Sequence, residues 1–578
     1  MTEQHESRGA LSRRGFLIAA GGALAGVACG GTSLGEDGGA DGGPLGSDGG
    51  SDGGPGEDAG TPDAGVGPSW LLPEGHYEGH FPLHVIYPRP DDETEAYARH
   101  RHAYPGVLYE IPIGVQFGKW PYRYELVEGP EGARVVHETL RWNGVDAFEV
   151  PEGYGVIAWD VAADAPAGPH SFHVRVYDQD HGRDGDSFVD VTWTTSVGTS
   201  QFVFLDPLGG DDATADGSIE SPFRELAALQ DSGRGGDKIC YIRETAPLDP
   251  DESRFAGGYR PDPPRQLRFG SSDEPKAYVA FPGESVVFNN AGQSGFAQSA
   301  SGSNRDVFFD GIVTAFAGQE ARSSGNVRVI IHRHGAVRST FWRMGCVRAF
   351  GGTRKDDNHG FIWYPRAGGN VDDATGHLYL YAADCWMDRM NVDAGVDASF
   401  DGVGANGPHL WSTYTTNRTL AERHRVSNSV VVNNGFVIVK GSARDAEIRA
   451  CVTVEGNSGY YHVRALGSSS DGETARVALC YNRTGSDEGR VFMGQAGNNP
   501  PYQDIIAYRN SCAGPITGAG NAEAYSSAFN NVARSVADTV KTSEGNVTHG
   551  GELPFDAELN LVGDARAEHL GTKGAEVA

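Results

Sequence analysis

The sequence predicts an all-β protein with two folded parts, a β-sandwich module over 70–198 and a solenoid of stacked β coils over 199–560. Three observations predict it. Short β-rich runs separated by turn residues fill the first part. In the second, β runs recur around Val426, Ile448, Val477 and Ile505, at intervals of roughly 20–30 residues, the range that marks stacked repeats. The 82 glycines and 39% hydrophobic residues of this 578-residue chain suit many short strands joined by turns, not a fibrous or wholly disordered protein. The formal charge of -30 argues against a nucleic-acid partner, because binding a phosphate backbone needs Lys and Arg to displace its counterions.

Residues 1–29 form an export signal. Ser12-Arg13-Arg14-Gly15-Phe16-Leu17 opens an apolar run that ends at Ala28, too short to cross a hydrocarbon core of about 30 Å as a helix. The paired arginines resemble the bacterial twin-arginine signal. Gly26-Val27-Ala28-Cys29 resembles a lipobox, with Cys29 as the lipidated residue and a membrane as partner through that lipid. Gly26 stands where a lipobox usually has a larger aliphatic residue, which leaves plain cleavage and secretion as the alternative. Residues 30–69 are rich in Gly and Asp, and from 30 to 67 carry no Lys or Arg; such a segment buries no core and serves as a disordered tether. The expected location is the cell envelope or outer surface. Apart from Cys29, the cysteines are Cys240, Cys346, Cys385, Cys451, Cys480 and Cys512, an even set compatible equally with disulfides or with buried free thiols.

In the module, His170-Ser171-Phe172-His173-Val174-Arg175-Val176-Tyr177 alternates so that Phe172, Val174 and Val176 share one face of a half-buried strand. Pro166-Ala167-Gly168 leading into this strand, which ends at Asp178-Gln179-Asp180, resembles the penultimate strand of bacterial immunoglobulin-like or cadherin-like repeats. The resemblance implies a spacer or binding unit. Asp178 and Asp180 read as a solvated turn in preference to a calcium site, since no second module is present to complete one.

Phe202-Val203-Phe204-Leu205-Asp206-Pro207, a Gly/Asp loop, and Gly217-Ser218-Ile219-Glu220-Ser221-Pro222-Phe223 open the second part. This resembles the opening segment of secreted right-handed parallel β-helix proteins of the pectate-lyase-like superfamily, in which a short helix then caps the first coil. The resemblance implies a right-handed parallel β-helix over 199–560, followed by a tail at 561–578. Asn433, Asn434, Asn457, Asn482 and Asn510 fall at predicted bends, where Asn tolerates left-handed backbone and can bond to its counterpart one coil away, at about 4.8 Å.

The superfamily resemblance implies carbohydrate chemistry, and fold alone does not establish it. A lyase needs a base and a cation that neutralises a uronate; a hydrolase needs two carboxylates about the scissile bond. Asp393, Asp397 and Asp401 lie in a long acidic insertion that continues into His409 and Trp411. Asp393 and Asp397 are the candidate ligands for Ca2+, Asp401 and His409 candidate acid-base groups, and Trp411 a ring for a sugar to stack on. The bland alternative is a solvated acidic loop with Trp411 packed on the solenoid. Val437 and Val439 facing inward would turn Lys440 outward among apolar neighbours, where partial desolvation lowers an ammonium pKa toward that of a base. An edge lysine that merely aids solubility is the alternative. Because the chain is acidic, an acidic polysaccharide would need nearby cations, and Arg444 and Arg449 are the nominees for substrate binding. The expected function is a surface-tethered protein that binds, and in one reading cleaves, polysaccharide; the competing expectation is a non-catalytic adhesin or structural lipoprotein.

Overall fold

The computed structural model describes residues 81–89, 99–118, 122–138, 141–142, 148–149, 154–178, 188–249, 256–269, 273–289, 295–299, 306–316, 328–331, 338–349, 359–363, 378–390, 409–414, 421–427, 430–432, 436–440, 443–454, 461–468, 476–485, 490–496, 504–519, 526–540 and 542–549. Nearly all regular structure among them is β-strand; the one α-helix among them, Leu226–Asp231, is a single short piece.

Two larger sheets hold most of the first part. One joins His102–Ala103, Phe188–Val197, Gly168–Tyr177 and Arg123–Glu128, antiparallel except that His102–Ala103 runs parallel to Phe188–Val197; the other, antiparallel throughout, joins Leu108–Pro112, Tyr154–Asp160 and Ala133–Glu138. Phe172, Val174 and Val176 are all buried, as their alternation predicts. Phe172 stacks on Trp193 of the neighbouring strand at 4.9 Å and on Tyr109 of the opposite sheet at 5.7 Å, which ties the two sheets into one core.

Beyond Phe202 the chain visits three parallel sheets in turn. Each circuit adds a strand to a twelve-stranded, a ten-stranded and a nine-stranded sheet, so neighbours in each sheet are consecutive coils. The inward rows of the twelve-stranded sheet, such as Val203 and Leu205, Cys240 and Ile242, Val477 and Leu479, fill the interior. Leu226 and Leu229 of the short helix join the same core at its first coil, which covers strand edges that would otherwise be open. The predicted stacking holds with one shift. Val426 aligns with Ile448 and Val477 with Ile505, but Ile448 aligns with Leu479, two residues past Val477.

The step from the twelve-stranded to the ten-stranded sheet is a two-residue corner in most coils. Its first residue is left-handed: Arg343, Asp384, Ala450, Tyr481, Arg509 and Asn530 all have φ between 50° and 57°. A non-glycine residue there is strained unless its surroundings fix it, and stacking against the same corner of the next coil supplies that constraint. The second corner residue points inward. At Asn482, Asn510, Asn531 and Asn546 it forms a ladder: each of the first three sends its backbone N–H and its Nδ2 to the Oδ1 of the next, at 2.8–3.1 Å. Asn482 and Asn510 thus make the bonds that the sequence predicts, whereas Asn433, Asn434 and Asn457 lie outside the described residues. Cys451 precedes the ladder and gives only its backbone N–H, 3.0 Å from Asn482 Oδ1.

All six cysteines from Cys240 onward are buried, and none of them is disulfide-bonded. Burial holds the Cys385 thiol well above its ordinary value and pushes Cys512 up to about 12, so both stay protonated and packed.

The first part is no detached spacer. The outward row of the twelve-stranded sheet, including Phe204, Tyr241, Val279, Phe308, Trp342, Tyr381 and Tyr508, shares one buried cluster with Ile86, Tyr87, Tyr109, Val115, Tyr122 and Tyr154 of the module. The module is therefore a roof over that sheet. Both faces of Phe202–Leu205, Ile239–Ile242 and Ala277–Ala280 are buried, which explains why these strands are apolar without alternation.

Candidate functional site

The three sheets differ in what borders them. The twelve-stranded sheet is roofed. The ten-stranded sheet meets it at the two-residue corners, and only its other margin carries long connections. Those connections, from Phe316 to Arg328, Ala349 to His359 and Met390 to His409, lead into the nine-stranded sheet. A second set leaves that sheet, from Trp363 to Leu378, Ser468 to Arg476 and Ala496 to Asp504. Among the described residues the nine-stranded sheet alone is bordered by long connections on both sides, which is how a groove is framed on a solenoid.

Its rows follow from the register. One row runs Leu267, Ala297, Ile330, Phe361, Trp411, Val437, Val463, Val491, Ile516. Leu267, Val463, Val491 and Ile516 are fully buried, so this row belongs to the core. The adjacent row runs Arg268, Gln298, Ile331, Ile362, Ser412, Ile438, Arg464, Phe492, Thr517, and Arg268 in it is exposed. By strand alternation this is the outer row.

Of the predicted site residues, the structure places Lys440, His409 and Trp411 in this sheet. Val437 and Val439 hold core rows, the latter aligned through Ala465 with the buried Met493; Lys440 aligns with Tyr414 and Leu466, on the alternate parity that the sequence predicts. Trp411 is not in an insertion but in a strand, at a position of the core row. His409 aligns with Phe436, four residues before Lys440, so about 13 Å of strand separates the rows of these two residues. They are not brought together. His409 also aligns with His359, and His359 with Arg328, a column on three successive coils. Sequence reasoning missed it, since the three are scattered in the chain and only the coil register unites them.

Arg444 and Arg449 lie on Ala443–Arg449 of the twelve-stranded sheet, away from the sheet of Lys440. The assignment of Arg449 to substrate binding is corrected by its surroundings. Its side chain is fully buried beneath the roof, with Nη2 donating to Glu447 Oε1 at 2.6 Å, and its guanidinium lies beside the Tyr122 and Tyr481 rings. Burial opposes its charge, and Cys480 and Glu447 more than reverse that, holding its pKa well above the ordinary value. The overlooked signal was Glu447 itself: opposite charges two residues apart in a strand share a face and can be buried as a pair.

Asp393, Asp397, Asp401 and Cys29 lie outside the described residues, as does Asp180. Asp178 is buried beside Gly118, not solvated. Among the described residues no cluster of three or more His, Cys, Asp or Glu could hold a metal ion.

Buried charge concentrates instead at the seam beneath the roof. Arg343 bonds to Asp310 on its own sheet and, through Nη1 at 2.9 Å, to Glu110 of the module. Burial pushes the Asp310 carboxyl up, against the pull of Arg343. Phe117 N–H reaches Glu447 Oε2 at 3.3 Å, and Arg99 Nη2 reaches Tyr241 Oη at 3.3 Å. Asp310, Glu447 and Arg99 are enclosed, whereas Arg343 and Glu110 are partly buried at the edge of the seam. No protein-family model, curated protein or solved structure matches the chain, so the architecture and the register carry the functional argument.

Proposed function

We propose that this is an exported envelope protein, lipid-anchored through Cys29, whose immunoglobulin-like module roofs a right-handed parallel β-helix that binds polysaccharide along its nine-stranded sheet. The observation that carries the reading is the position of that sheet: among the described residues it takes no part in the buried cluster that joins the module to the twelve-stranded sheet, and long stretches of chain lead both into it and out of it. A polymer running along the axis would meet the same row positions at every coil, about 4.8 Å apart; the exposed Arg268 begins the outer row, and Arg464 holds a later register position in it. Lys440 borders that surface, and the acidic insertion before His409 would supply carboxylates or a Ca2+ site at its margin.

The test is retention on a panel of neutral and uronate polysaccharides, with and without a chelator, in wild type and in Lys440→Ala and Arg464→Ala. Slower migration of wild type on at least one polymer, reduced in Arg464→Ala, is the expected result. Equal migration on every polymer would refute it. New absorbance near the unsaturated-uronide band would add lyase chemistry; binding without it leaves an adhesin.

A further inference from the structure

The seam between roof and solenoid contains a histidine in an unusual setting. His100 is 1% exposed, and among the described residues neither of its ring nitrogens has a hydrogen-bond partner. Its backbone carbonyl is held inside the module by Tyr109 Oη at 2.7 Å and Thr195 Oγ1 at 2.7 Å. Its ring stands edge-on to Tyr87 at 5.3 Å, and Tyr87 in turn packs on Phe308 and Tyr381 of the twelve-stranded sheet. Beside it, Arg99 reaches across to Tyr241.

The charged and titratable groups that face the imidazole are Arg101, Arg99 and His102 on its own segment and Arg89 after the first strand, with the Tyr87 ring completing the enclosure. All four charged neighbours oppose a proton on His100, and burial opposes it more than any of them, holding its pKa well below the ordinary value. A neutral, unpartnered ring is tolerable in such a place; an imidazolium is not. One aromatic side chain, Tyr87, stands between the ring and Phe308 and Tyr381 of the solenoid.

The geometry points to His100 as an acid-sensitive latch: protonation of its ring favours release of the module from the twelve-stranded sheet. The sign follows from linkage. Release relieves burial, the largest of the opposing causes, while Arg89, Arg99, Arg101 and His102 stay with the module, so the released state takes up the proton more readily than the docked state; docking is at full strength above the ordinary imidazole range and weakens as pH falls through and below it. Within that window each pH unit lowers the docked-to-released ratio by up to about tenfold. Asp310, whose pKa is raised in the docked state, works in the opposite direction in the carboxylate range, so the effect must be read against a variant at His100.

Val127 and Leu208 are exposed, on the module and the solenoid respectively, and give one labelling position on each part. Energy transfer between dyes at Val127→Cys and Leu208→Cys, in a Cys29→Ser background, is measured from pH 8 to pH 4.5. The expected result is a reversible fall below about pH 6, reaching about half the plateau value, which His100→Phe and His100→Gln both abolish. A single folded variant of the two is sufficient. Transfer that stays flat in wild type, or a fall that persists unchanged in either folded variant, overturns the proposal. The measurement needs no ligand, so its outcome is independent of polysaccharide binding.

Discussion

The Trp342 indole nitrogen of the solenoid donates a 3.0 Å hydrogen bond to the Tyr154 hydroxyl of the module, and that hydroxyl donates onward to Asp384 Oδ2 at 2.8 Å. All three residues are buried. The relay fixes the roof to two successive coils, since Trp342 aligns with Ala383, the residue before Asp384. Enclosed polar groups of this kind contribute little when satisfied and cost far more when one partner is lost.

Tyr154→Phe should therefore destabilise the protein by about 1–3 kcal/mol. Because module and solenoid share one buried cluster, the loss should lower the midpoint of a single calorimetric transition. Two well-separated transitions in wild type would show that the parts unfold independently.

Asn510 sits in the middle of the corner ladder, accepting from Asn482 and donating to Asn531 and to the Leu479 carbonyl. Asn510→Ala leaves several enclosed groups without partners and should cost about 3 kcal/mol or more in urea unfolding. Asn546→Ala, at the more open end of the ladder, should cost clearly less. Equal costs would mean that the ladder is not cooperative.

Arg449→Met alone should destabilise by about 3–5 kcal/mol, because it takes the paired guanidinium away from the Glu447 carboxylate, which stays enclosed under the roof. Combining it with Glu447→Met should recover much of the loss, which a double-mutant cycle measures directly. In the folded double variant polysaccharide retention should equal that of wild type. Selective loss of retention would return Arg449 to the binding surface.

With Cys29 changed to Ser, a thiol-reactive dye at pH 8 should leave the folded protein unlabelled and modify all six remaining cysteines after denaturation. Rapid labelling of the folded chain would contradict the burial of these thiols. Resistance of the denatured, unreduced chain would indicate disulfides.

The strands themselves were legible in the sequence. Phe172, Val174 and Val176 alternate because one face of their strand is buried, and the parity of Val437, Val439 and Lys440 follows from the same local rule. Asn482 and Asn510 were legible because a left-handed corner selects few residue types, and a ladder repeats the choice in every coil.

What the sequence determined was thus whatever depends on neighbours along the chain: the β class, the coil interval, the corners and the inward rows. The tertiary structure decided which strands align, which sheet is covered and which charges are enclosed. The two-residue offset between Ile448 and Val477 depends on connection length and coil packing, which no local pattern encodes. Trp411 shares a register row with the buried Val463 and Arg449 lies under a roof because the segments they align with or pack on, later coils in the one case and Tyr122 of the module in the other, are distant in the chain. Burial is a property of the assembled surface, and alternation marks two faces of a strand without saying what will be packed against either.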